Sequence, residues 1–520
     1  MPARSEQPGP PRGLIALCLV AAILVAAPIL ITIVQAFQGG FSAARLSLGA
    51  GATRRLVLHS LEVAAVATPI AVAIGVACAW FVERTQVPGR RAWALLFVAP
   101  LTIPAFVTSY SWANLGTWLQ GFTGAAGIIA FSYYPIVFLL VAVALRGLDP
   151  ALEETGRSLG LSGAQTFFRV VLPQLRPALL GGALLVVLDT LVEFDAFVAL
   201  KFQAFSASVY AQYRLGFSAS GAAAISLVSI AICLAFLFGE ARLRGHANYT
   251  RVSHGARRAA APYELGRARI PVLIGFAAVV AISVGIPVVT LIDWFSRSSD
   301  AAWASARGNL QYLWPATVTS LELGVAAALV ALALALPVAV AAVRYRSPIV
   351  TVTERATYLS FALPDLVGAI ALAYAASHWA RSLYGSFFLL VLAEAVLFVP
   401  FAVVALRATL GQLEGSLEES ARSLGAGAFS SFWRVTIPLA RPGLVAAGVL
   451  VFALTLGDLS TAKVLLPLSS YTLGTEFDAN SSTVAFAAAA PFAAVLIALA
   501  FGAAYLLMSR FGRVRSVSDH

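Results

Sequence analysis

Apolar runs of about 20 residues, the length that carries a helix across a bilayer, follow one another from end to end of this chain with short polar breaks between them. The pattern predicts twelve spans, approximately 14–36, 58–82, 93–116, 126–146, 177–200, 221–239, 271–294, 317–343, 357–377, 385–407, 442–465 and 484–508. No stretch between them is long enough for a soluble domain. The first run reads as a span and not a signal peptide, because Pro28 and Gln35 leave no small-x-small cleavage site. Pro100 and Pro104 in "VAPLTIPAFVTSY" and Pro364 in "FALPDLVGA" predict a break or kink in the third and ninth spans.

Composition agrees with that pattern. Of the 520 residues 60% are hydrophobic and 11% charged, against about 25% charged in soluble domains. The fold class expected is an all-α membrane protein. With both termini inside, 26 of the 35 Lys and Arg residues fall on the cytoplasmic side, the side where they accumulate. The net charge of +11 is then a topology signal. The basic stretch 241–270 reads as a cytoplasmic linker near anionic lipid, and not as a nucleic-acid patch. Cys18, Cys78 and Cys233 lie in apolar runs, and the five histidines have no metal-ligand spacing, so neither disulfides nor a metal site is expected.

The chain repeats itself. "LEETGRSLGLSGAQTFFRVVLPQLRP" begins at Leu152 and "LEESARSLGAGAFSSFWRVTIPLARP" at Leu417, a spacing of 265 residues that also relates Pro135 to Pro400. Upstream the spacing becomes 260, relating Glu62 to Glu322 and Pro104 to Pro364. The division is a first half 1–240 with the repeated segment 149–176, the linker 241–270, and a second half 271–520 with the segment 414–441. Six spans per half make the halves parallel repeats and put both copies of the segment on the cytoplasmic side. Each copy reads as helix, turn, helix. Gly160 suits the left-handed residue closing the first helix, Ser162 and Gln165 form a capping box opening the second, and Pro173 is expected to stop it. Phe167, Phe168, Val170 and Val171, with Phe429, Phe432, Trp433 and Val435 in the other copy, are expected to give an exposed apolar tip.

The residues Glu154, Thr155, Gly156, Gly160, Val170, Leu172 and Pro173, and again Glu419, Ser420, Ala421, Gly425, Val435, Ile437 and Pro438, resemble the EAA motif of ABC importer permeases. Thr155, Gly156 and Ser420 stand where that family usually has alanine. The resemblance covers essentially the whole chain and implies a type I importer permease fold. It also implies that Glu153, Glu154, Arg157, Gly160 and Pro173, with Glu418, Glu419, Arg422, Gly425 and Pro438, couple the permease to two ATP-binding cassette ATPase subunits. An extracytoplasmic substrate-binding protein and membrane lipid are the other partners implied. The sequence holds no G-x-x-x-x-G-K-[ST] loop, and its only lysines, Lys201 and Lys463, lie in no such motif. The expectation is a chain that is not an enzyme and binds no cofactor, ATP being used by the partner subunit, in a bacterial inner membrane.

Within the spans, Asp189, Glu193, Asp195 and Asp458 are candidates to line the translocation path, Glu193 and Asp458 being repeat partners. Glu62 and Glu322 are expected to make structural hydrogen bonds instead. Fusion of two halves resembles the ferric iron, thiamine and aminoethylphosphonate branch of these importers. Ferric iron, a hard cation preferring carboxylate and phenolate oxygen, suits Glu193, Asp195, Tyr210 and Tyr213; thiamine, aminoethylphosphonate and polyamine remain alternatives. A proton-coupled secondary transporter is the alternative of another class, but its charged loop would lie between spans two and three, where the repeat is poor. A membrane-bound enzyme would need a carboxylate, His or metal cluster in outer loops that are short and nearly uncharged.

Overall fold

The computed structural model describes residues 9–38, 51–148, 150–214, 219–244, 262–296, 310–345, 347–411 and 427–513, with 413, 418, 420, 421 and 423–425 between the last two. Among the described residues nine helices are long and apolar enough to cross a membrane, and twelve if each of three bent pairs counts as one span. Sustained apolar runs leave the backbone no partner but itself in lipid, and the helix satisfies every N–H and C=O internally.

Two of the bends fall at the prolines that the sequence singled out. Arg90–Thr102 meets Ala105–Leu115 at 92°, and Pro348–Ala362 meets Asp365–Trp379 at 108°. The mechanism is the same in both repeats. Pro104 and Pro364 clash with helical geometry at the preceding residue, so Ile103 and Leu363 turn extended, with φ and ψ of −102° and 111° and of −100° and 114°. Two other spans stop sooner than hydropathy predicts. The helix Arg176–Val192 ends before Glu193 and Ile437–Gly457 before Asp458, each followed by a short helix, Asp195–Ala199 or Ser460–Leu465.

Contacts divide the chain into two compact units, Met1–Arg45 with Gly216–Leu227 and Ser299–His520, and Leu46–Leu215 with Val228–Ser298. Repeat and compact unit therefore differ by an exchange of first helices, and by Gly216–Leu227 of the first repeat, which also falls in the first unit. In the first unit Arg12–Gln38 packs on Leu313–Arg344, Pro348–Thr357 and Asp365–Trp379 of the second repeat, and the Tyr374 hydroxyl is hydrogen-bonded to Gln38. In the other unit the second repeat's opening helix lies on the first repeat. Its Phe276 ring sits 4.7 Å from Phe97, 5.3 Å from Trp93 and 6.3 Å from Phe81. Edge-to-face rings at these separations add to the burial itself.

Candidate functional site

The first repeated segment opens with the helix Pro150–Ser158. It closes as its glycine requires: Gly160 has φ of +85°, and the Leu161 N–H donates to the Gly156 carbonyl at 3.1 Å, the six-to-one bond of a Schellman motif. Ser162 and Gln165 then form the expected capping box, with bonds of 2.9 and 3.3 Å. In the second copy Gly425 has φ of +90°. Both copies continue through one π-helical turn at matching positions, Phe167–Val171 and Phe432–Thr436. The prolines do not stop the helix. Pro173 and Pro438 fall in the first turn of the helical segment after each π turn, where a missing N–H costs little. The chain changes direction after Gln174, by 71°, in the first copy, and runs on as one helix to Gly457 in the second.

Beneath each segment lies an ion pair. Arg84, at the end of the helix Gly51–Arg84, meets Glu153 at 2.9 Å with both side chains nearly dry, and also donates to the Leu145 carbonyl at 2.8 Å. Arg344, at the end of Leu313–Arg344, grips Glu418 with both ends of its guanidinium, one bond being 3.0 Å. It donates to the Thr436 hydroxyl at 3.1 Å and stands 5.6 Å over the Phe432 ring. Of the two adjacent acids in the first copy, Glu153 is turned inward, 4% exposed, and Glu154 faces out.

The exposed surface is repeated too. Thr166 and Val171 are buried while Phe168 and Arg169 are exposed; Ser431 and Thr436 are buried while Trp433 and Arg434 are exposed. The expected apolar tip is therefore narrower than the sequence implies: Val171 packs inward, and Phe167 leans on Trp80, ring centres 4.7 Å apart. Leu159 at 78% and Leu424 at 89% exposure, each just before its turn glycine, enlarge the tip instead. Glu419 and Arg422 lie outside the described residues, as do the side chains of Arg157 and Phe429.

The acids within the spans sit at the breaks. Glu193 accepts the Ala196 N–H at 3.0 Å and the Tyr133 hydroxyl at 2.8 Å, and Asp458 accepts the Thr461 N–H at 3.4 Å. Each thus takes up one of the unpaired N–H groups in the first turn of the short helix that follows. Asp195 is buried at the start of one such helix, and Asp189 lies one turn before Glu193, whose N–H bonds to its carbonyl at 2.9 Å. The Tyr210 ring packs on Phe194 at 4.9 Å, and Tyr213 is half-buried. Glu62 and Glu322 are exposed on their helices and not buried in a structural contact. Among the described residues no three His, Cys, Asp or Glu side chains are grouped to hold a metal ion.

A profile of the binding-protein-dependent transport system inner membrane components matches residues 40–244 and again 331–513, one copy in each repeat. The chain belongs to that family of inner membrane components. It is 32% identical over 489 residues to the Fe(3+)-transport system permease protein FbpB 2 of Haemophilus influenzae, spanning 94% of this chain and 96% of that one. It is 25% identical over 455 residues to the ferric transport system permease protein FbpB of Actinobacillus pleuropneumoniae, 81% of this chain and 66% of the relative. The sulfate transport system permease protein CysT of Escherichia coli is 31% identical over 201 residues, covering only 35% of this chain. In this permease the family match leaves out both exchanged helices, Arg12–Gln38 and 269–296.

Three features of the permease escaped the sequence reading. Arg84 and Arg344 are repeat partners at the spacing of 260, each the last residue of a long helix, but the segments that follow them diverge, which hid the match. Glu394 is fully buried in Phe387–Leu410, and neither of its oxygens has a hydrogen-bond partner. Asp365 and Asp458 both act on it electrostatically. Ala105 and Ile129 occupy the corresponding positions of the first repeat, so comparison of the repeats gave no signal for Asp365 or Glu394.

Proposed function

We propose that this chain is the permease of an ATP-driven importer of ferric iron, with an ATP-binding cassette ATPase subunit docked on each repeated segment and a substrate-binding protein delivering cargo from the outer side. One observation carries the docking reading. In both repeats an Arg–Glu pair, buried in the first and half-buried in the second, ties the segment to the end of a long helix, while an apolar tip of Leu159 and Phe168, or Leu424 and Trp433, is left exposed. Lipid adhesion needs no anchor of that kind, whereas a partner that pushes and pulls does. Glu153, Glu154, Arg157, Gly160 and Pro173, with Glu418, Glu419, Arg422, Gly425 and Pro438, form the two handles. The chain itself binds no cofactor, and ATP is used by the partner; both termini are cytoplasmic.

Iron is supported by the relatives named for ferric transport and by the carboxylates Asp189, Glu193, Asp195 and Asp458, which we place along the path. Such acids repel an oxyanion like sulfate. The deciding experiment is radiolabelled uptake in a strain lacking this chain. Loss of ferric iron uptake, restored by the gene and abolished by ATP depletion but not by a protonophore when ATP is maintained, is the expected result. Normal iron uptake with loss of thiamine or polyamine uptake overturns the substrate. Uptake that follows the proton gradient overturns the importer reading.

A further inference from the structure

The linker between the repeats returns to the first handle. The Tyr263 N–H donates to the Arg84 carbonyl at 2.7 Å and the Gln86 N–H to the Tyr263 carbonyl at 3.1 Å, an isolated parallel bridge with Thr85. The residue whose guanidinium anchors Glu153 is thus held from behind by its own carbonyl. The Tyr263 ring lies 5.6 Å from Trp80, Trp80 lies 4.7 Å from Phe167, and Phe167 lies 5.0 Å from the exposed Phe168. A line of rings joins the linker to the tip. At Gly163, which opens the helix after the turn, a Cβ would stand 3.3 Å from the Tyr263 ring, so glycine leaves room for it. On the other side the chain runs from Tyr263 through Gly266–Ala268 into Arg269–Val280, whose Phe276 is fixed in the aromatic cluster with Phe97. Among the described residues the second handle has no such bridge.

We propose that Tyr263 is a positioning residue for coupling, and that the stretch 262–265 is a strap setting the resting position of the first handle and passing its movement to the opening helix of the second repeat. The proposal rests on the docking reading above. A handle tied only by the Glu153 pair can pivot about it; a second attachment, through backbone and ring, converts pivoting into displacement. Two packed arrangements of such an attachment, one for each state of the cycle, are what a coupling route requires.

The test uses the full complex of chain, ATPase and binding protein in lipid vesicles, and reads the ratio of binding-protein-stimulated to basal ATP hydrolysis. Tyr263→Ala is expected to keep the ATPase bound but to lower the ratio by about threefold or more, within the range of mutations that modulate coupling between sites. Tyr263→Phe keeps the ring and the backbone bonds and should match the wild type. Gly163→Leu, which crowds the ring while leaving Tyr263 in place, should reproduce the Tyr263→Ala effect and decides the matter if Tyr263→Ala does not accumulate. An unchanged ratio in Tyr263→Ala and Gly163→Leu overturns the strap; so does loss of the ATPase from both, which would make Tyr263 part of the docking surface. Docking itself is read separately, because Gly160→Asp and Gly425→Asp must lose the ATPase if it is right.

Discussion

Removing one partner of a buried ion pair leaves the other charge stranded, and this costs far more than the pair contributes when intact. For Arg84 and Glu153, with side chains 8% and 5% exposed, Glu153→Ala or Arg84→Ala should cost about 3–5 kcal/mol. Water reaches Arg344, whose side chain is 27% exposed against 14% for Glu418, so Glu418→Ala should cost clearly less. The expected outcome is that Glu153→Ala frees the first handle to proteolysis and sheds ATPase on purification, Glu418→Ala does so more weakly, and Arg84→Met with Glu153→Leu restores protease resistance. Equal protease sensitivity of Glu153→Ala and Glu418→Ala would contradict the difference in burial.

At the scale of elements the breaks matter more than the helices. Pro364 forces Leu363 out of helical geometry and so creates the bend of 108° before Asp365. Pro364→Ala lifts that restriction; the span should straighten in part, with uptake reduced while the ATPase stays docked, as measured by transport and co-purification in parallel. The sequence announced this bend, and it announced the turn glycines and the capping box, because proline, glycine and serine act on their own backbone or on that of near neighbours. The breaks at Glu193 and Asp458 were hidden for the opposite reason. Apolar residues continue on both sides of the break in "DTLVEFDAFVAL" and "LTLGDLSTAKVL", and at each break a carboxylate accepts an N–H from the first turn of the next helix. The anchoring of Glu153 was equally illegible, since nothing local distinguishes it from Glu154; only the helix end that brings Arg84 alongside does so.

For the whole molecule, hydropathy along the chain gives spans but not their neighbours, and so could not reveal that each compact unit takes its first helix from the other repeat. A chain split within 245–261 tests this directly. Either half alone lacks a helix that its packing needs, so each should be degraded when made singly, while the two made together should assemble and restore uptake; stable accumulation of either half by itself would contradict the exchange. The same exchange bears on how such a protein is made. Asp365 and Glu394 have no counterparts in the first repeat, and Tyr263 belongs to a linker that follows only that repeat, so two copies of one half could not reproduce the whole. Translation of both as one polypeptide fixes their ratio at synthesis and spares each half any need to tell its proper mate from its own twin.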